Sequence, residues 1–245
     1  MSWAIRRKIA VLAGCLAAVS AATLLARTPS HHPAAAAPTP APASVLVADK
    51  GDFRIMVSGQ QVGKEQFEIS ASGADWIAHG TSEVQTSDGA TRVTGTLQLH
   101  ADGTPGHYEW STQGKKKASA TIDFNNLTAN MEVHLEGARP YNQTLTFSAS
   151  PIIVLDNNLY HQYAILARLY DREKNGVQTF SVLVPQELTP GTITVDSLST
   201  TQDVNGKKLE ELTAKTEDLE VHLYLDNGRL VRIAAPSNNA EIVRE

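Results

Sequence analysis

Apolar and polar residues alternate along most of the chain, and this alternation predicts β-strands. Residues 53–57 follow the pattern, with Phe53, Ile55 and Val57 on one side, and residues 65–70 repeat it after a polar turn. A strand with one buried face has a period of two because successive side chains point to opposite faces of the sheet. The first two strands therefore form a predicted hairpin.

The same alternation recurs along the rest of the chain. Further strands are predicted at 76–84, 92–100, 107–112, 118–124, 129–135, 179–184, 192–198 and 209–215, and a closing hairpin at 219–235. The turn of that hairpin is Asp226-Asn227-Gly228, a strong hairpin signal. The short spacing between strands leaves no room for crossover helices and predicts an antiparallel meander. About twelve strands predict a mainly β fold, a large curved sheet that forms a half barrel or barrel.

One segment has helical periodicity instead. Leu159, Tyr163, Leu166 and Tyr170 recur at helical spacing within 158–171, which predicts one main helix. The asparagine pair before Leu159 offers the N-cap. Because its apolar stripe is broad, we expect the helix to pack on the concave side of the sheet.

The same helix supplies the candidate ligand-binding residues, which are Tyr163, Leu166 and Tyr170. Tyrosine combines an apolar ring with a polar hydroxyl, so these side chains are suited to line a cavity and orient a ligand head group. The alternative interpretation is that they fill the core beneath a covering helix. The sequence leaves both interpretations open.

The N-terminus is typical of an export segment. Residues 9–26 carry no charge and follow the basic cluster Arg6-Arg7-Lys8. As a helix this run rises about 27 Å, close to the hydrocarbon thickness of about 30 Å. Basic residues stay on the cytoplasmic side, so we expect residues 1–27 to be a signal peptide or membrane anchor and the body to be periplasmic.

Three fates of this segment stay open at the sequence level. It is kept as an anchor to the inner membrane, or it is cleaved at a small-residue site such as Val19-Ser20-Ala21, which releases the body. Alternatively, Leu12-Ala13-Gly14-Cys15 resembles a bacterial lipobox, which would make Cys15 a lipidation site. The apolar run continues to Leu25, beyond the point where a lipoprotein normally becomes polar.

A linker and one domain follow. Residues 28–48 begin with a stretch rich in proline and alanine that offers almost nothing to a core. Such a segment is a semi-rigid spacer with a reach of about 3.1 Å per residue. We therefore expect residues 49–245 to form a single antiparallel β domain held away from a membrane.

Charge and cysteine content exclude several classes of protein. The chain has 21 basic and 26 acidic residues, and four of the basic ones precede Asp49, the first acidic residue. The body therefore has 17 basic against 26 acidic residues, a net charge of −9, which disfavours a nucleic-acid partner. The single cysteine, Cys15, excludes an intrachain disulfide and a cysteine-rich zinc site.

Motifs of common enzymes are absent from the sequence. There is no GxSxG, DTG or DSG triplet, HExxH, Walker A or GxGxxG motif. The carboxylates of Asp171-Arg172-Glu173 and Glu210-Glu211 are interpreted as surface charge, since adjacent residues of a strand point to opposite faces. The six histidines of the body are far apart in sequence. No catalytic residue, metal site or cofactor is predicted.

Several short motifs resemble those of uncharacterised envelope β proteins of Gram-negative bacteria, a family of the domain-of-unknown-function type. The matching residues are Gly51-Asp52-Phe53, the run 59–65, Asp156-Asn157-Asn158, Leu183-Val184-Pro185-Gln186 and the run 223–233. The resemblance covers about half of the body, chiefly its ends, and implies no established activity. The implied shape is similar to that of lipoprotein carriers, a half barrel closed by helices over an apolar cavity.

Together these patterns predict a non-enzymatic exported envelope protein. We expect it to bind a lipid or another apolar or amphipathic small molecule, or a partner protein of the envelope. Two other hypotheses stay open. One is a hydrolase that acts on an envelope component, and the other is a structural interaction protein with a filled core.

Overall fold

The structure is a computed structural model, and it describes residues 44–86, 89–204 and 206–245. These residues form fifteen strands and one α-helix. The strands are β1 (Asp49–Val57), β2 (Gln60–Ser72), β3 (Asp75–Thr86), β4 (Gly89–Leu99), β5 (Pro105–Gln113), β6 (Ala118–Asn125), β7 (Thr128–Leu135), β8 (Tyr141–Thr146), β9 (Ile152–Val154), β10 (Gln178–Val184), β11 (Thr189–Val204), β12 (Lys207–Lys215), β13 (Glu220–Asp226), β14 (Arg229–Ala235) and β15 (Ala240–Arg244); the helix is α1 (Gln162–Leu169).

All fifteen described strands belong to one sheet. Their spatial order is β8-β7-β6-β5-β4-β3-β2-β1-β15-β14-β13-β12-β11-β10-β9. Consecutive strands pair as neighbours on both sides of the β1–β15 contact, so the predicted antiparallel meander and large curved sheet are confirmed. The pairing of β1 with β15 joins the beginning of the domain to its end.

The structure differs from the predicted strands in three places. Strands β8, β9 and β15 were not predicted. Strands β8 and β15 each have a single buried residue, and all three residues of β9 are buried, so none of them shows a clear alternation. Strand β9 pairs in parallel with β10, since helix α1 lies between them in the chain and supplies the crossover. Val57 is exposed rather than buried, because a register shift between Ile55 and Met56 interrupts the alternation of β1.

Helix α1 is shorter than the predicted helix over 158–171. The backbone N–H groups that precede it are bound by carboxylates. Asn158 N–H donates to Asp156 Oδ1 (3.3 Å) and Tyr160 N–H to Glu65 Oε2 (2.9 Å). These bonds stabilise non-helical turns before Gln162, so the helix does not begin at residue 158.

The predicted asparagine N-cap is therefore wrong. The position before the first helical residue is His161, and its side chain makes no capping bond. At the other end, Tyr170 has an extended backbone, and Arg172 donates to the Ala167 carbonyl (3.2 Å), which satisfies one of the helix's last carbonyls.

One continuous hydrophobic core lies between the inner face of the sheet and the helix. It contains residues from nearly every strand together with Leu166 and Ala167 of α1, both with no exposed surface. Burial of this face accounts for the alternation seen in the sequence. The expected position of the helix against the sheet is confirmed.

Candidate functional site: a cavity beside a buried polar cluster

Glu65 is a fully buried carboxylate that holds the start of helix α1. Its Oε2 accepts a hydrogen bond from Tyr160 N–H (2.9 Å), and Oε1 accepts one from His161 N–H (3.4 Å). The N-terminal N–H groups of a helix have no partner within the helix and carry partial positive charge. A negative side chain of β2 therefore caps the helix from another element of the fold.

The His161 imidazole completes this contact. Its Nδ1 lies 2.5 Å from Glu65 Oε1, and the side chains of His161 and Glu65 are 1% and 0% exposed. Because Glu65 Oε1 also accepts from the backbone, we assign the proton to Nδ1. Nε2 is buried and has no hydrogen-bond partner among the described residues.

Aromatic stacking fixes the orientation of the imidazole. The His161 ring stacks on Phe67 with centroids 5.6 Å apart, and Phe67 stacks on Phe53 at 5.1 Å. The Arg244 guanidinium lies 5.1 Å from the Phe67 ring centroid and 5.7 Å from that of Phe53. These contacts join β1, β2 and β15 to the start of the helix.

A second cluster of buried polar residues, centred on Asp156, lies beside Glu65 and His161. The Tyr108 hydroxyl donates to Asp156 Oδ2 (3.1 Å) and accepts from Gln162 Nε2 (3.3 Å). Asp156 N–H in turn donates to Gln162 Oε1 (2.5 Å). The side chains of Tyr108, Asp156 and Gln162, together with the Asp156 backbone N–H, therefore form a closed network between β5 and the segment around the helix start.

Burial controls the protonation of this network. It raises the pKa of Asp156, although hydrogen bonds from Gln186, Asn158 and Tyr108 partly oppose that effect. Burial and the nearby Asp156 charge raise the pKa of Tyr108 well above its ordinary value. Tyr108 is therefore a neutral hydrogen-bond donor, and Asp156 takes up a proton more readily than an exposed aspartate does.

A cavity of about 400 Å³ lies next to this network, between the helix and strands β10–β13. Its volume is in the range of small-molecule sites, about 300–1,000 Å³. Its apolar lining residues are Leu155, Val182, Val184, Pro190, Ile193, Ala214, Leu219 and Val221. Its polar lining residues are Asp156, Asn157, Tyr163, Glu187, Thr189, Thr192, Thr216, Glu217 and Asp218. The cavity thus combines apolar walls with acceptor groups.

Tyr163 is the helix residue in this lining, and no hydrogen bond of its hydroxyl is found among the described residues. Burial raises the pKa of Tyr163 to about 12. The hydroxyl therefore stays protonated and has both a donor and an acceptor available for a bound molecule.

A wider cleft of about 920 Å³ lies over β12, β14 and β15, but its charges are already paired. Arg244 Nη2 lies 2.7 Å from Asp49 Oδ1, Arg232 pairs with Glu241, and Lys207 Nζ lies 3.5 Å from Asp226 Oδ2. This cleft therefore has no comparable set of available groups.

The structure separates the three predicted ligand-binding residues. Tyr163 lines the 400 Å³ cavity, whereas Leu166 and Tyr170 are not among the residues that line it. Leu166 has no exposed surface and lies in the core, and the Tyr170 hydroxyl donates to the Gly176 carbonyl (2.9 Å). Cys15, the predicted lipidation site, lies outside the described residues.

Sequence reasoning missed the buried polar residues. Glu65 precedes Phe67 and Ile69 by two and four positions, so the alternation already placed it on the inner face. Glu211, interpreted as surface charge, is 2% exposed, and its Oε1 lies 2.7 Å from His222 Nδ1. The sequence could not identify the hydrogen-bond partners of Glu65, because they lie more than ninety positions away along the chain.

Two further observations concern ions and membranes. Within the described ranges, no three His, Cys, Asp or Glu side chains are arranged to hold a metal ion. The described residues contain no helix that is long and apolar enough to cross a membrane; helix α1 has only eight residues.

No protein-family model matches the chain, and no curated protein matches it. Among solved structures, the chain is similar to a β-barrel-like protein of domain of unknown function DUF1849 from Brucella abortus. The two are 10% identical, and the match covers 82% of this chain and 95% of the other, with a TM-score of 0.53. The likeness shows a shared fold, which supports the predicted resemblance to an uncharacterised β-barrel-like domain.

Proposed function

We propose that this protein is a non-enzymatic binding module whose cavity beside helix α1 takes an apolar or amphipathic small molecule. The observation that carries the proposal is the Tyr163 hydroxyl, which lines a cavity of about 400 Å³ and has no hydrogen-bond partner among the described residues. Tyr163 is half-buried, so its hydroxyl is accessible from the cavity and a ligand can exchange a hydrogen bond with it. The apolar walls supply the remaining affinity.

The cavity itself argues against the alternative of a filled core. In a purely structural protein, Tyr163 would be expected to pack against the sheet and leave little unfilled volume. Instead, polar lining residues and apolar walls occur together, as is usual in small-molecule sites.

The hydrolase alternative is supported by one observation, the buried group of Glu65, His161 and Asp156. Buried carboxylates and a histidine in one cleft are the usual components of acid–base catalysis. However, only Asp156 lines the cavity, while the side chains of Glu65 and His161 are 0% and 1% exposed. Glu65 accepts from the N–H groups of Tyr160 and His161 at the start of the helix and contacts the His161 ring, which favours a structural role for both side chains.

The test of binding is a fluorescence titration of the full chain with N-phenyl-1-naphthylamine, a neutral apolar probe. We expect saturable binding that weakens at least tenfold in Thr189→Trp, because Thr189 lines the cavity, pairs with the lining residue Val184 and lies on the same face of β11 as Ile193. Thr121→Trp on β6 is the matched control, since Thr121 is exposed and does not line the cavity. Absence of saturable binding, or equal loss in both variants, would overturn the proposal.

We also propose that the domain acts in the cell envelope, where residues 1–27 and the linker would hold it. The support is the uncharged run 9–26 after the basic cluster Arg6-Arg7-Lys8. A reporter active only outside the cytoplasm, fused after Glu245, should be active, and one that works only in the cytoplasm should be silent. The reverse result would place the domain in the cytoplasm. Native mass spectrometry of protein purified from membranes would reveal a lipid on Cys15 and any retained ligand.

A further inference from the structure

The charged side chains around the cavity all have one sign. Of the four acidic residues that line it, Asp156 is buried, whereas Glu187, Glu217 and Asp218 are exposed. No Lys, Arg or His lines it. An anionic ligand would meet only like charges there, which costs binding free energy, whereas a cation would meet only opposite charges.

The three exposed carboxylates are also available. Among the described residues, Glu187, Glu217 and Asp218 form no side-chain hydrogen bond or ion pair. This differs from the wider cleft over β14 and β15, where Arg232, Arg244 and Lys207 already have carboxylate partners.

The arrangement favours an organic cation over a metal ion. The described acidic side chains include no group of three that could hold a metal ion, so these carboxylates act separately. An ammonium group needs only one or two acceptors for its N–H donors. The same cavity has apolar walls at Val182, Ile193 and Val221, which suit an attached apolar chain.

We propose that the ligand of this cavity is a cationic amphiphile, an amine with an apolar chain, rather than a fatty acid or an anionic lipid. This inference rests on the proposed binding function. The ammonium group lies at Glu187, Glu217 and Asp218, and the chain lies along the apolar walls. The buried Asp156 already accepts bonds from Tyr108 and Asn158, so it supplies negative potential at the inner end without being the main anchor.

The test compares three probes that have the same ten-carbon chain and differ in head-group charge. Decylammonium, decan-1-ol and decanoate are titrated into the full chain at pH 7 and low ionic strength by isothermal titration calorimetry. We expect decylammonium to bind at least tenfold more tightly than decanoate, with decan-1-ol between them. Because salt screens exposed charges, the spread should shrink at 0.5 M salt.

Two matched triple variants assign the preference to the cavity. Glu187→Gln with Glu217→Gln and Asp218→Asn should abolish the preference for the cation. The control, Glu109→Gln with Asp123→Asn and Glu132→Gln, changes net charge equally at exposed side chains of β5–β7 and should retain it. Equal effects of both variants would mean that overall charge sets the preference, and the inference would be overturned.

The remaining outcomes separate this inference from the proposed function. Equal affinity for all three probes, with binding still blocked by Thr189→Trp, would overturn the cationic ligand and leave the binding function in place. Tighter binding of decanoate than of decylammonium would do the same. If none of the three probes binds saturably, the binding function itself fails.

Discussion

Gly80 of β3 provides the space for the ring of His161. A Cβ atom at Gly80 would lie 2.5 Å from His161 Cε1 and 2.6 Å from Nδ1, and 3.1 Å from Glu65 Oε1. Non-bonded atoms essentially never approach a Cβ atom closer than 3.0 Å, so the two contacts with the imidazole rule out a side chain at this position unless the ring moves. The glycine therefore allows the imidazole to approach the sheet and reach the carboxylate of the neighbouring strand. Gly95 of β4 plays the same part for Leu159 and the Tyr108 hydroxyl.

Gly80→Ala should destabilise the domain by about 1–3 kcal/mol, the usual cost of overpacking a core. The buried His161 ring is held by Phe67 and Glu65 and has no free direction in which to move. Urea unfolding measures the change. Gly106→Ala is the matched control, because its added Cβ would meet no atom closer than 3.5 Å. Equal stability of the two variants would mean that the imidazole has another position.

Asp156 predicts a specific dependence of stability on pH. Its pKa is raised in the folded protein, chiefly by burial, so the folded state binds its proton more tightly than the unfolded state does. Its contribution to stability is complete below the unfolded value of about 3.9 and is lost as pH rises through the raised folded value. Asp156→Asn removes this titration and keeps an acceptor for Tyr108.

The free energy of unfolding of the wild type, minus that of Asp156→Asn, should therefore fall as pH increases from 4 towards 8. Urea unfolding at several pH values measures it. Tyr108→Phe removes a hydrogen bond that lowers the pKa of Asp156, so in that background the fall should extend to higher pH. A difference that stays constant with pH would show that the carboxyl titrates alike in both states.

Alternation predicted most of the sheet because nearly every strand buries one face against a single core. Strand β15 was missed because it has only five residues and Ile242 is its only fully buried side chain. Strand β9 was missed for a different reason. All three of its residues are buried, so it shows no alternation to detect.

The site was predictable only where it depends on local pattern. Tyr163 was identified because helical spacing placed it on the inner face of α1. The cavity is made by β10–β13, which come later in the chain, and by Asp156, which the sequence offered only as part of a motif. The pairing of Glu65 with His161 joins residues 96 positions apart, and no periodicity contains that information.

Leu166→Ala should cost about 2–5 kcal/mol of stability, because Leu166 has no exposed surface and its truncation leaves a cavity in the core. The measurement is the urea midpoint at constant m-value. Leu198→Ala is the matched control, since Leu198 is 41% exposed and such a change is usually within about 0.5 kcal/mol. A small loss at Leu166 would mean that the helix does not anchor the core.

Tyr163→Phe and Tyr170→Phe each remove one tyrosine hydroxyl from the helical segment, and we expect them to differ in their effect on stability. The Tyr170 hydroxyl donates to the Gly176 carbonyl, so its loss should cost about 0.5–1.5 kcal/mol of stability. The Tyr163 hydroxyl has no partner among the described residues, so its loss should leave the free energy of unfolding nearly unchanged. Urea unfolding of the empty protein measures both.

For ligand affinity we expect the reverse, a larger effect of Tyr163→Phe than of Tyr170→Phe. Tyr163→Phe should weaken binding of decan-1-ol. The alcohol has no positive charge to hold its head group at the carboxylates, so the Tyr163 hydroxyl is available to exchange a hydrogen bond with it. Tyr170→Phe should leave that affinity unchanged, since Tyr170 does not line the cavity. Calorimetric titration of both variants measures the affinities. If Tyr163→Phe lowers stability as much as Tyr170→Phe and leaves binding intact, its hydroxyl serves the fold and not the ligand.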